Sequence, residues 1–154
     1  MKVEYINPFI NVASSLLNMM CAVEVKKGKI YLKSSPFNAN HVVIIIGIAG
    51  TFRGQVYFSL DEPTACGIAS KMMMGMEVPY LDEMAKSAIA ELGNMILGNV
   101  CTDFYNEGLN VDITPPTVMV GQDIQISTKG VETFCVPLAL EGIGTMEIDV
   151  SITE

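Results

Sequence analysis

Histidine is almost missing from this chain: His41 is the only one. A Ser-His-Asp or Cys-His arrangement would have to be built around it, and it stands at the mouth of an apolar segment with no marked acidic partner nearby. Nucleophilic hydrolysis is therefore disfavoured. The four cysteines, Cys21, Cys66, Cys101 and Cys135, form no CxxC pair. No His, Cys or carboxylate spacing resembles that of a zinc or other metal site, so the expectation is no metal ligand and buried, reduced thiols in a cytoplasmic protein. Positive charge is scarce as well. Nine basic residues against seventeen acidic ones leave a formal net charge of −8, which opposes binding to a phosphate backbone and argues against a nucleic-acid partner. Long apolar runs are lacking: the longest, Val42 to Ala49, is far short of a membrane span. Lys2, Glu4 and Asn7 interrupt any leader at the start, so no membrane insertion or export is expected. Gly47-Ile-Ala-Gly50, followed by Gly54, has no Gly-Lys-Ser/Thr ending and opens no helix, so it reads as turn chemistry and not as a phosphate loop.

Half of the 154 residues are hydrophobic and 17% are charged. That composition suits one core-rich domain, 1–154, with no linker or charge block to divide it. Residues 5 to 21 repeat apolar positions at helical spacing, with Asn7 as cap and Pro8 in the first turn. Val23 to Leu32 reads as two short segments about a Lys-Gly turn, and Val42 to Ile48 and Gly50 to Leu60 as strands, together a hairpin or meander. Gly54 marks a bulge or a close backbone approach. Asp61 to Met74 turns helical, capped by Asp61 or Ser59, and ends in a methionine cluster that reads mainly as core filler. A long helix spans 81 to 107. Strands follow at 110–114, 117–120, 123–127, 133–140 and 144–152, the last two forming a long hairpin about Glu141-Gly142. This order predicts an α+β fold, an antiparallel sheet packed with two or three helices, one of them long. The C-terminal hairpin is long and apolar enough to pair with a second chain.

The long helix carries the clearest functional signal. At about 100° per residue, Glu91 lies about 40° to one side of Ser87 and Asn94 about 20° to the other, and Gly98 returns to nearly the same direction. Ala85, Ala88, Ile89, Leu92, Ile96 and Val100 cluster on the opposite side, the face that docks on the core. The stripe should therefore face outward. No Lys or Arg follows Lys86 on this helix to cover Glu91 or Asn94. Gly93 and Gly98 each cost about 1 kcal/mol of helix propensity relative to Ala, so each suggests a close contact, either with a partner or with the core. Asn99 points nearer the core and is expected to be buried and hydrogen-bonded. A Glu and an Asn on a polar helix face are ordinarily just solvated, so the stripe alone does not specify an activity.

Its setting does more. The arrangement Ser87-x-x-x-Glu91-x-x-Asn94, with Pro115 and Pro116 some twenty residues on, resembles the motif of the CheC/CheX family of chemotaxis phosphatases, which also includes the flagellar switch protein FliY. The Asn-Pro-Phe start of the first helix is similar too, and the resemblance covers nearly the whole chain. The first helix offers Ser14 and Asn18 but no acid between Tyr5 and Cys21, so there is one motif copy, closer to CheX than to CheC. The resemblance implies a CheC-like fold and a homodimer. It also implies hydrolysis of the aspartyl phosphate on a phosphorylated CheY-type receiver domain. On that reading Asn94 positions water, Glu91 pairs with the receiver's lysine, and Ser87 and Gly98 line the contact. No cofactor would be held by this chain, and Mg2+ would reside in the partner. The alternative is a non-catalytic adaptor that binds a receiver domain or a flagellar motor component.

Overall fold

The fold is set by one sheet whose two faces are covered differently. The computed structural model describes residues 3–154. A 3-10 turn, Val3–Tyr5, leads into α1 (Asn7–Cys21). Then come β1 (Val25–Lys27), β2 (Tyr31–Lys33), β3 (Phe37–Asn38), β4 (Val42–Gly50) and β5 (Arg53–Leu60). The helices α2 (Glu62–Met72) and α3 (Glu83–Asn106) follow, and then β6 (Val111–Ile113), β7 (Thr117–Val120), β8 (Gln125–Ile126), β9 (Thr133–Leu140) and β10 (Gly144–Thr153). This is the expected α+β arrangement with one long helix. Among the described residues no helix is long and apolar enough to cross a membrane.

The sheet runs β1-β9-β10-β5-β4-β6, with β2 also on β9 and β7 also on β4, and its pairings are antiparallel. Strand alternation sorts its side chains. Ile44, Ile46, Phe58, Val136, Ile148 and Val150 join Phe9, Leu17, Ile89, Leu92 and Ile96 of the helices in one buried core. On the other face Val43 and Tyr57 pack with Phe37 and Ile126, brought there by the small β3-β8 sheet. Gly54 makes the close approach expected of it: its φ is +147°, and a Cβ there would lie 2.1 Å from the Ser151 carbonyl oxygen.

Several expectations need correction. The methionine cluster is core filler only in part: Met72 and Met73 pack against the core, but Met74 is 99% and Met76 57% exposed. Residues 23–32 do form two short segments, but these do not pair with each other. Both β1 and β2 pair with β9, at Lys27↔Leu138 and Tyr31↔Cys135, so three residues lie between them on one side against two on the other. The Lys-Gly segment is thus a bulge in an edge strand, where Gly28 N–H donates to the Pro137 carbonyl at 2.7 Å. Asn7 does not cap α1. The cap position is Ile6, in helical conformation and without a side-chain cap, because the 3-10 turn runs directly into the helix. The C-terminal hairpin offers no free strand edge for a second chain to extend, because β9 is paired with β1 and β2 and β10 with β5.

Candidate functional site

The helix α3 begins at Asp82, whose carboxylate accepts the Ala85 backbone N–H at 2.8 Å, a cap that fixes the helix start. Ala85, Ile89, Leu92, Gly93, Ile96, Leu97, Val100 and Phe104 are buried. That face packs on β4 and against α1 and α2. The predicted stripe lies opposite. Ser87 and Glu91 are exposed, and Asn94 and Gly98 are half-buried. Among the described residues the side chains of Ser87, Glu91 and Asn94 make no hydrogen bond or ion pair. The nearest basic residue on the helix, Lys86, is turned to Glu83, with Nζ 3.1 Å from its carboxylate, and so does not neutralise Glu91. All four residues share the outer face of one rigid element, with a carboxylate and an amide both available to an incoming group.

The two helix glycines divide between the alternatives left open by the sequence. A Cβ at Gly93 would meet Ile44 Cγ2 at 3.1 Å, so this glycine serves the core. A Cβ at Gly98 would meet nothing within 4 Å, so its lack of a side chain is not required by packing within the chain. Asn99 is not buried as expected. It is exposed, and its Nδ2 donates to the Met95 carbonyl at 2.8 Å, one turn back along its own helix. Pro115 and Pro116 join β6 to β7 at the sheet edge, where α3 packs against both strands.

The fold also assembles a polar cluster that the sequence reading missed. Cys135, Glu147 and Asp149 each offer a ligand atom, all within 4.8 Å of one another. Tyr31 and Lys33 complete the group. The Tyr31 hydroxyl and the Cys135 thiol donate to Glu147 Oε1, while Lys33 Nζ lies 3.0 Å from Glu147 Oε1 and 3.2 Å from Asp149 Oδ2. Burial raises the Asp149 carboxyl, and the thiol and ammonium beside it only partly offset that. Burial likewise would raise Glu147, but hydrogen bonds from Cys135, Tyr31 and Lys33 outweigh it and hold Glu147 below its ordinary value. The signal was present in the sequence as Glu147-x-Asp149 on one strand, whose alternation puts both acids on one face. Cys135 joins them only through the β9-β10 register, Asp149↔Cys135.

Residues 42–139 match the family model described as chemotaxis phosphatase CheX. The CheY-P phosphatase CheX of Thermotoga maritima is 38% identical over 131 residues, covering 85% of this chain and 84% of the relative. The structure of the CheX-CheY-BeF3-Mg2+ complex from Borrelia burgdorferi contains a chain 36% identical, with a TM-score of 0.83, covering 99% of this chain and 100% of that one. A CheC-like superfamily protein from Shewanella sp. PV-4 superposes with a TM-score of 0.89 at 27% identity, over 100% of both chains. The chain belongs to the chemotaxis phosphatase CheX family.

Proposed function

We propose that this member of the CheX family hydrolyses the aspartyl phosphate of a CheY-type receiver domain, using the outer stripe of α3. The observation that carries the reading is the unengaged pair Glu91 and Asn94 on the exposed side of a core-anchored helix, in a family whose Thermotoga member is a CheY-P phosphatase.

An acyl phosphate is already activated, so its hydrolysis demands positioning more than new chemistry. Water attacks phosphorus in line, the bond to the aspartyl oxygen breaks, and inorganic phosphate and a free carboxylate result. Asn94 suits water positioning, because its neutral amide offers both a carbonyl acceptor and an NH2 donor without acting as a strong base. Glu91 would pair with the receiver's active-site lysine and align the helix. Ser87 would contact the rim, and Gly98 would let the receiver's backbone come close. Seven helical steps separate Ser87 from Asn94 by roughly 10 Å, enough to cross the mouth of a receiver site. In this reading Mg2+ belongs to the receiver and this chain holds no cofactor for the step. A homodimer belongs to the same proposal, and light scattering at micromolar concentration tests it.

The decisive experiment follows the decay of a phosphorylated CheY-type receiver with this chain and with Asn94→Ala. The proposal expects acceleration that falls about 100-fold in the variant, with binding retained. Binding without acceleration by either form would identify an adaptor instead.

A further inference from the structure

We infer that Cys135, Glu147 and Asp149 form a binding site for a divalent transition-metal cation of the zinc class, on the sheet face turned away from α3. The strand register builds it. Tyr31, Cys135 and Asp149 stand side by side across β2, β9 and β10, and Glu147 lies two residues before Asp149 on the same face. Their neighbours Met146, Ile148 and Val150 point to the helical core instead.

The donor set selects the class of ion. One sulfur and two carboxylates, with ligand atoms within 4.8 Å of one another, suit Zn2+ or Co2+, whereas Mg2+ and Ca2+ take oxygen ligands alone. Three protein ligands leave a fourth position for water or a small anion, as at open zinc sites. The Tyr31 hydroxyl, donating to Glu147, is placed to orient the Glu147 carboxylate from outside.

A second observation points to a cation. Asp149 is 0% exposed, and its Oδ1 has no hydrogen-bond partner among the described residues, although buried carboxylate oxygens are normally satisfied. Lys33 engages only Oδ2. With both acids ionised, Glu147 and Asp149 carry two negative charges against the single positive charge of Lys33. A bound dication with Cys135 as thiolate makes three negative charges against three positive. Binding forms the metal-sulfur bond and sends one proton from the Cys135 thiol to solvent, while Lys33 keeps its own. The Lys33 side chain is 13% exposed, and its ammonium, 4.9 Å above the Phe37 ring, sits on a flexible stem that can give way.

The test is a Co2+ titration of the untagged full chain after chelator treatment, read by near-ultraviolet absorption, where a thiolate-to-cobalt band reports a bound sulfur. The site predicts a band that saturates at one equivalent, is bleached by Zn2+, is lost in Cys135→Ser and persists in Cys66→Ser. Glu147→Gln, on the more exposed rim, shifts the titration to higher cobalt; with circular dichroism as a folding control, it carries the test should Cys135→Ser fail to fold. No band from the wild-type chain at millimolar cobalt would overturn the inference. So would a band that survives Cys135→Ser, or one that Glu147→Gln leaves unmoved. Because the cluster and α3 lie on opposite faces of the sheet, none of these results bears on the phosphatase reading.

Discussion

Gly93 and Gly98, five residues apart on α3, face opposite ways: a Cβ on the first would press on Ile44 Cγ2 at 3.1 Å, and a Cβ on the second would meet nothing within 4 Å. The same substitution should therefore have opposite effects. Gly98→Ala gains helix propensity without a clash and should stabilise the chain by about 0.5–1 kcal/mol. Gly93→Ala gains the same propensity but crowds a branched methyl fixed to a central strand, with Ile46 and Phe58 close behind, and should be net destabilising by on the order of 1 kcal/mol. Urea unfolding of both variants checks the pair. If Gly98 lies under a receiver, its more stable alanine form should also bind that receiver less well.

Glu91→Gln should separate docking from chemistry. It keeps the shape of the side chain and removes the charge proposed to meet the receiver's lysine, so affinity should fall on the order of tenfold. Dependence on ionic strength should also flatten. Calorimetric titration with an unphosphorylated or phosphorylated receiver reads both effects. An unchanged Kd would remove Glu91 from the interface.

Asp61 caps α2 by accepting the Thr64 backbone N–H at 2.8 Å. Hydrogen bonding from the Thr64 side chain and backbone holds its carboxyl below the ordinary 3.8. A carboxyl depressed in the fold adds stability above its unfolded value, and that stability fades as pH falls through the depressed one. Asp61→Asn keeps a capping oxygen but has no charge at the helix start, so it should cost about 0.3–1 kcal/mol at neutral pH. The gap to wild type should stay level down to about pH 5 and narrow below it. Denaturant melts at pH 7, 5 and 3 test the sign.

Gly54→Ala should be the most damaging small substitution. The left-handed φ of +147° and the 2.1 Å approach to the Ser151 carbonyl leave no room for a Cβ without moving β5 off β10, so a loss of at least about 3 kcal/mol is expected. A thermal melt indistinguishable from wild type would contradict the β5-β10 register.

Most elements were legible because they rest on local pattern. The stripe of Ser87, Glu91, Asn94 and Gly98, the Asp61 cap and the close approach at Gly54 follow from periodicity, capping chemistry and the absence of a side chain. What stayed hidden depends on which strand meets which. The segment 23–32 alternates like half of a hairpin whether its partner is itself or β9. Phe37 and Ile126 are too isolated in sequence to show that they close the second sheet face. Asn99 departs from its expected burial because its angle on the helix lies toward the core while its amide reaches the backbone of its own turn. Cys135 and Asp149 are fourteen positions apart, and only the hairpin register makes them neighbours.

The central place of β9 and β10 also bears on how the chain assembles. These strands are synthesised after the strands they join: β9 bridges to β1 and β2, and β10 to β5. Until they emerge from the ribosome, β1 and β2 lack a sheet to extend, and the β4-β5 hairpin keeps one edge bare. Closure then requires contacts between residues more than a hundred positions apart, such as Tyr31 with Cys135. Folding should accordingly be a late, concerted event of high contact order, and nascent chains stopped before residue 133 should depend on chaperones to shield the apolar edge of β5.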